Sequence, residues 1–367
     1  MSRARLISFF ATGLLILATA FGLIKYASGY RPDFTNGRIL PTGLLVAVSY
    51  PDGAQLLLHG ALKSATNTTL SLAPGKYDVA IKKDGFTSWE KTVKIEKELV
   101  TKADAYLFSQ FPDFKNLTFT GASDLLPSPD NQKVAFTVST QPGTSKDGLW
   151  VLDLSDALPG LSREPRQIVQ GSKSRDFAKS KYAWSPDSKQ ILVKLGKEAF
   201  VLETDRLNPA ANLVDISQNL TATEDRWQKE ADLRHQAQLA KLPPELASLA
   251  EIQFSPDESK ILYTATEAAV AKLRVYDLKE KEDFYVMDKP GSKSDVRVTW
   301  FPTSKHLFIV RKDKISTVET DGQNLVDLWA GSFADALPFP SSSGNKILIL
   351  TSIGKDTLPN LYAVSLR

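Results

Sequence analysis

The sequence predicts an all-β protein carried on an N-terminal membrane-spanning helix, and three observations predict it. Residues Leu6 to Ile24 contain no charged side chain. Residues 43–108 alternate apolar and polar side chains between turn-forming clusters. Beyond residue 109 a short phrase built on Ser-Pro-Asp recurs, each time followed by a β-rich run. These features divide the chain into a helix (1–25), a linker (26–42), a small β domain (43–108) and a repeat unit (109–367). The repeat unit reads as a five-bladed β-propeller, with room for a sixth blade, interrupted by one helical insertion (221–250).

Bulk composition removes several classes of chemistry. The chain has 367 residues, is 42% hydrophobic and 24% charged, and carries a net charge of +3. That charge is small and dispersed, so no nucleic-acid partner is expected. There is no cysteine, which excludes disulfides, thiolate metal sites and thiol catalysis. Three histidines (His59, His235 and His306) leave little imidazole chemistry.

The segment Leu6 to Ile24 lies between Arg3 and Arg5 on one side and Lys25 on the other. As a helix it would span roughly 28 Å, about the thickness of a bilayer's hydrocarbon core. Leu, Ile and Phe dominate it, each favouring insertion by about 0.3 to 0.6 kcal/mol. Ala18-Thr19-Ala20 fits a signal-peptidase site, so a cleaved signal peptide is the rival reading. The apolar run continues through Phe21, Leu23 and Ile24, which favours a retained anchor. A short N-terminal stub stays inside while a long following domain crosses, so a single-pass membrane protein with its bulk outside the cytoplasm is expected.

Turn formers fill residues 26–42. In the β domain, Pro51-Asp52-Gly53-Ala54 forms a turn after the run Gly43 to Tyr50. Tyr77, Val79 and Ile81 then alternate with Asp78, Ala80 and Lys82, and Trp89, Val93 and Ile95 share a face of the next strand. This stretch resembles the PEGA domain. The naming motif stands here as Pro51-Asp52-Gly53-Ala54, with Asp in place of Glu, and a second motif matches at Leu72, Pro74, Gly75, Tyr77 and Val79. The resemblance implies a small β-sandwich, a cell-envelope setting and no catalytic residues.

Five copies of the repeat align on Pro129, Pro186, Pro256, Pro302 and Pro340. The next residue is Asp130, Asp187, Asp257, Thr303 or Ser341, each able to cap a tight turn. Four residues before the proline stand Leu125, Tyr182, Ile252, Val298 and Ala336, all suited to a packed inner strand. Each unit is read as four short strands, with Ser-Pro-Asp at a hairpin corner and its aspartates structural. The repeat resembles the WD40-like β-propeller repeat of the TolB type, although no copy has that motif's glycine after the aspartate. The last unit ends after its third strand, and the run Lys115 to Gly121 reads as the outer strand that completes it and closes the ring. Between the second and third copies, a helix is predicted to start with Thr221 capped by Glu224 and to stop at Pro243-Pro244. It is expected to lie on the rim of the propeller; a partner-docking element is the alternative.

One column is charged in every copy: Asp124, Lys181, Glu251, Arg297 and Asp335, five residues before each proline. In a propeller this position opens the innermost strand at the channel mouth. These five are the candidate ligand-binding residues, and their near-alternating signs also suit a ring of neighbouring ion pairs. No metal site is expected, because the two cations would repel one. No catalytic residues and no cofactor are assigned: Gly-x-Ser-x-Gly, His-Glu-x-x-His, phosphate-cradling and calcium-loop motifs are all absent. The expected role is a membrane-anchored scaffold whose propeller binds an envelope protein or cell-wall polymer. The alternative is a surface glycan hydrolase using two carboxylates among Asp124, Glu251, Asp295 and Asp335.

Overall fold

The computed structural model describes residues 3–27, 30–33, 38–139, 144–154, 164–291, 295–339, 346–354 and 358–367. The chain divides into two compact units, Met1–Phe111 and Pro112–Arg367.

The first unit begins with helix α1 (Arg3–Ala27). Its stretch Phe9–Tyr26 is long and apolar enough to cross a membrane, and none of it is buried against protein. The predicted linker contains a hairpin pairing Tyr30–Asp33 with Arg38–Pro41.

Two sheets follow and share one core. The first orders Thr68–Leu72, Gly43–Tyr50 and Val100–Tyr106, with the last two strands parallel. The second orders Ala61–Ala65, Gln55–Leu58, Gly75–Lys82 and Trp89–Ile95. Alternation along the strands sends Leu45, Ala47, Leu56, Val79, Ile81, Trp89, Val93 and Ile95 inward, as the sequence pattern requires. Gly43 starts its strand against the backbone of Glu96, where a Cβ would lie 2.2 Å from the carbonyl oxygen, so only glycine permits this approach.

In the second unit the described residues form five antiparallel sheets. The first is Ser123–Pro127, Lys133–Val138, Gly148–Asp153 and Arg166–Gln170. The second has only three strands, Lys181–Trp184, Gln190–Leu195 and Glu198–Glu203. Ala250–Phe254, Lys260–Glu267, Val270–Asp277 and Glu282–Asp288 make the third. Arg297–Trp300, His306–Val310, Lys314–Glu319 and Val326–Ala330 make the fourth. The fifth orders Asp335–Pro338, Lys346–Thr351, Asn360–Ser365 and, last, Asp113–Asn116 from the start of the unit. The strand pairing with the last strand is therefore Asp113–Asn116, slightly earlier than the predicted run from Lys115.

The missing fourth strand of the second sheet has a physical substitute. The Ala199 N–H donates to the Asp215 carboxylate at 3.1 Å, and the Glu203 N–H to the Asn208 side chain at 3.1 Å. These two contacts occupy an edge that a strand would otherwise pair. No sixth sheet lies between the second and third copies among the described residues. That interval holds α2 (Leu220–Leu239) and α3 (Pro244–Ala247), and strand Ala250–Phe254 begins within the predicted insertion.

Helix α2 starts one residue before the predicted cap. Asn219 holds the N-cap position and makes no side-chain capping bond, and Glu224 pairs instead with Lys194 of the second sheet. Trp227 is buried, and Arg234 donates to the Pro186 carbonyl at 2.6 Å. Leu239, Leu242 and Leu246 pack on Ile261 and Tyr263 of the third sheet. Three pairs of sheets share apolar clusters: fifth with first, first with second, and third with fourth. The helical segment thus contacts both the second and the third sheets.

Candidate functional site

The corners come first, because they set the ends of the strands. In each full Ser-Pro-Asp copy the serine hydroxyl donates to the aspartate: Ser128 to Asp130 at 2.6 Å, Ser185 to Asp187 at 2.6 Å and Ser255 to Asp257 at 2.8 Å. The same serine oxygens accept the N–H of Lys133, Gln190 and Lys260 at 2.9 Å, closing the turn. The residue after the aspartate or its equivalent is left-handed in four copies: Asn131, Ser188, Glu258 and Ser304, with φ between 54° and 60°. This is the position where the TolB-type motif has glycine, and the geometry explains that preference. Pro340 and Ser341 of the fifth copy lie outside the described residues.

Hydrogen bonding holds the Asp187 carboxyl below its ordinary range, first through the Ser185 hydroxyl. For Asp257 burial pushes the carboxyl up, but donation from the Ser259 N–H and the Ser255, Ser259 and Ser304 hydroxyls outweighs it, leaving it at about 2. Asp187 and Asp257 are therefore ionised acceptors within their turns.

All five charged-column residues lie in the first strand of their sheets, at a sheet edge. The structure brings two of them together: Arg297 Nη2 donates to Asp335 Oδ1 at 2.8 Å and also bonds the Ala336 carbonyl. Asp124 and Glu251 do not reach a neighbouring column residue. Each sits in a β-bulge with positive φ (52° and 56°), which turns its side chain toward the second strand of its own sheet. There Asp124 accepts from Thr137 at 3.1 Å, and Glu251 from Thr264 at 2.8 Å. Glu251 also pairs with Lys289, and that contact, followed by Thr264, holds its carboxyl below the ordinary range. Lys181 is exposed. Of the possible ring of neighbouring ion pairs, Arg297–Asp335 is the one realised among the described column residues.

A cavity of about 640 Å³ lies among these first strands. Pro127, Gln253, Arg297 and Leu337 line it from the first, third, fourth and fifth sheets, and Gln238 lines it from α2. Among the five candidate residues, Arg297 alone contributes to its wall. Sequence reasoning missed Trp184 and Trp300, two residues before their prolines. Their indole N–H groups donate to the carbonyls of Leu126 and Gln253, each at 3.0 Å, and tie first strands of adjacent sheets together. Their shared offset from the proline was the available signal. Among the described residues no group of three or more His, Asp or Glu is placed to hold a metal ion.

The PEGA domain family matches residues 42–109. The match coincides with the two-sheet domain of the first unit. Comparison with curated protein sequences gives no match. Among solved structures, the chain is similar to a putative TolB from Agrobacterium tumefaciens at 15% identity and TM-score 0.22, covering 66% of this chain and 78% of that one. TolB from Acinetobacter baumannii aligns at 15% identity and TM-score 0.24, over 68% of this chain and 51% of that protein. The AfRom2 CNH domain aligns at 9% identity and TM-score 0.29, over 70% and 99%.

Proposed function

We propose that this chain is a membrane-anchored binding scaffold of the cell envelope. Helix α1 spans the membrane once, and the PEGA domain and the five sheets lie outside the cytoplasm. The sheets form a five-bladed β-propeller closed by the pairing of Asp113–Asn116 with Asn360–Ser365. The ligand is an envelope protein or cell-wall polymer, received where the first strands converge.

The observation that carries this reading is α1, a 25-residue helix whose apolar spanning stretch is not buried, leading into a PEGA domain. An isolated helix of this composition has no stable place in water. The binding role draws on the cavity among the first strands, which Arg297 lines, with Asp335 paired to Arg297. Glu251 weighs against the hydrolase alternative. A general acid needs a raised carboxyl, and Lys289 lowers this one.

The test is external protease treatment of intact cells carrying a C-terminally tagged copy, with membrane fractionation alongside. The proposal expects the tag to sediment with membrane and to be lost to external protease. A tag that sediments with membrane but is protected inverts the topology and overturns the envelope role. Arg297→Ala with Asp335→Ala then tests the site, because capture of partners by the tagged chain should fall while the fold persists.

A further inference from the structure

We propose that the loop Glu96 to Val100 of the PEGA domain rests on the bilayer surface, with Leu99 and Val100 inserted among the lipid headgroups. The inference rests on α1 being inserted in a membrane, and deepens that reading by fixing how the first domain sits on the lipid.

Leu99 and Val100 form an apolar tip, 55% and 56% exposed, at the turn between strands Trp89–Ile95 and Val100–Tyr106. Neither side chain belongs to the core cluster of the domain. The tip is tied to the end of the chain that leaves the helix: the Glu98 N–H donates to the Thr42 carbonyl at 3.0 Å, and the Leu44 N–H to the Leu99 carbonyl at 2.9 Å.

Tyr30 locates this tip relative to α1. Lys25, in the last turn of α1, places its ammonium 4.3 Å from the centre of the Tyr30 ring, and Lys97 of the loop places its own 5.3 Å from the same ring. One aromatic ring therefore contacts both the end of the spanning helix and the loop. The spanning stretch ends at Tyr26, so this end of α1 lies at the interface, where Tyr and Lys side chains favour the headgroup layer. The loop beside it then faces the same layer.

Charge does not oppose the contact. Glu96 pairs with Lys94 at 2.6 Å and Glu98 with Lys97 at 3.6 Å, so both acidic groups of the tip have a cation beside them. Paired charges flanking two exposed apolar side chains suit shallow insertion into the headgroup region.

The absence of cysteine makes a direct test available. Full-length Leu99→Cys and Asp52→Cys chains, each carrying a nitrobenzoxadiazole label, are reconstituted into phosphatidylcholine vesicles with and without a doxyl-labelled lipid. Asp52 lies in the turn beyond the far end of Gly43–Tyr50, eight residues or about 26 Å along the strand from the loop. The expected result is vesicle flotation of both chains, with blue-shifted emission and loss of intensity to the doxyl lipid at position 99 and neither change at position 52. Flotation with an unquenched, aqueous label at position 99 overturns the loop contact and leaves the anchor standing. Failure to float overturns the anchor reading and the loop contact with it. Val100→Cys supplies the same measurement if the Leu99 variant does not fold.

Discussion

The backbone N–H of Asp257 donates to the hydroxyl of Ser304 at 3.1 Å, joining the corner of the third sheet to the corner of the fourth. The same bond recurs between Asp130 and Ser188, at 3.2 Å, joining the first sheet to the second. Both serines are buried and left-handed. Glycine would relax that backbone but would remove the bond between sheets. The conformational cost at these corners is therefore offset by tertiary hydrogen bonding.

Ser304→Ala and Ser188→Ala should each destabilise the protein by about 0.5–1.5 kcal/mol, because the part-buried hydrogen bond between sheets is lost. Asn131→Gly, at the equivalent left-handed position on an exposed corner, should stay within about 1 kcal/mol of the parent or stabilise it. Denaturant midpoints of the three variants decide the matter. A Ser304→Ala effect as small as that of Asn131→Gly would mean that the bond between sheets contributes little at these corners.

Trp184→Phe and Trp300→Phe keep most of the ring's packing while deleting the indole donor to Leu126 and Gln253. Each should cost on the order of 1–3 kcal/mol, from the lost bond and the unpaired carbonyl. The corresponding alanine variants should cost about 3–5 kcal/mol. Chemical denaturation of the full chain in detergent measures both sets.

Deleting Asn360–Ser365 removes the strand between Lys346–Thr351 and Asp113–Asn116. It also strips cover from Leu348 and Leu350, which pack with Val134 and Phe136 of the first sheet. The second unit should then lose cooperative unfolding and become protease-sensitive, while the PEGA domain, with its own core, keeps its resistance. Limited proteolysis followed by mass spectrometry distinguishes the two units.

Asp257 ties acid stability to the corner. Its carboxyl titrates at about 2 in the fold, against 3.8 in the unfolded chain. A depressed acid contributes stability that is fully present above the unfolded value and is lost as pH falls toward the folded one. The stability of the parent should therefore drop between about pH 4 and pH 2, and Asp257→Asn should flatten part of that drop. The side chain is largely solvated, so the change should be modest. Urea midpoints at the two pH values provide the measurement. An unchanged slope in Asp257→Asn would assign the acid loss to other carboxylates, such as Asp187.

Arg297–Asp335 is the one candidate-site pair formed between column residues of neighbouring sheets. Both side chains are partly exposed, at 46% and 25%, so a double-mutant cycle on stability should return a coupling of no more than about 1 kcal/mol. A much larger effect of the same substitutions on partner capture would assign the pair to recognition. Equal effects on both would leave it structural.

Local chemistry was legible in the sequence, because each signal depends on residues close along the chain. An uncharged run long enough to span a bilayer forms α1. Period-two alternation at Val79 and Ile81 buries those side chains, and Ser-Pro-Asp closes a corner through atoms no more than five residues apart. Helix α2 starts before the Thr221 that the sequence pattern marks, and Glu224, in place of capping its own helix, reaches Lys194 of the second sheet. The charged column falls in the first strand of each sheet. Only the fold decided its partners: bulges turn Asp124 and Glu251 back onto their own sheets, while Arg297 crosses to Asp335. Likewise, Asn208 and Asp215 replace a fourth strand, and two helices occupy the interval where a sixth sheet had room. The physical reason is common to all of these. A turn or an alternating strand is set by neighbours along the chain, whereas an ion pair or a sheet edge goes to whichever group the packed chain brings within about 3 Å.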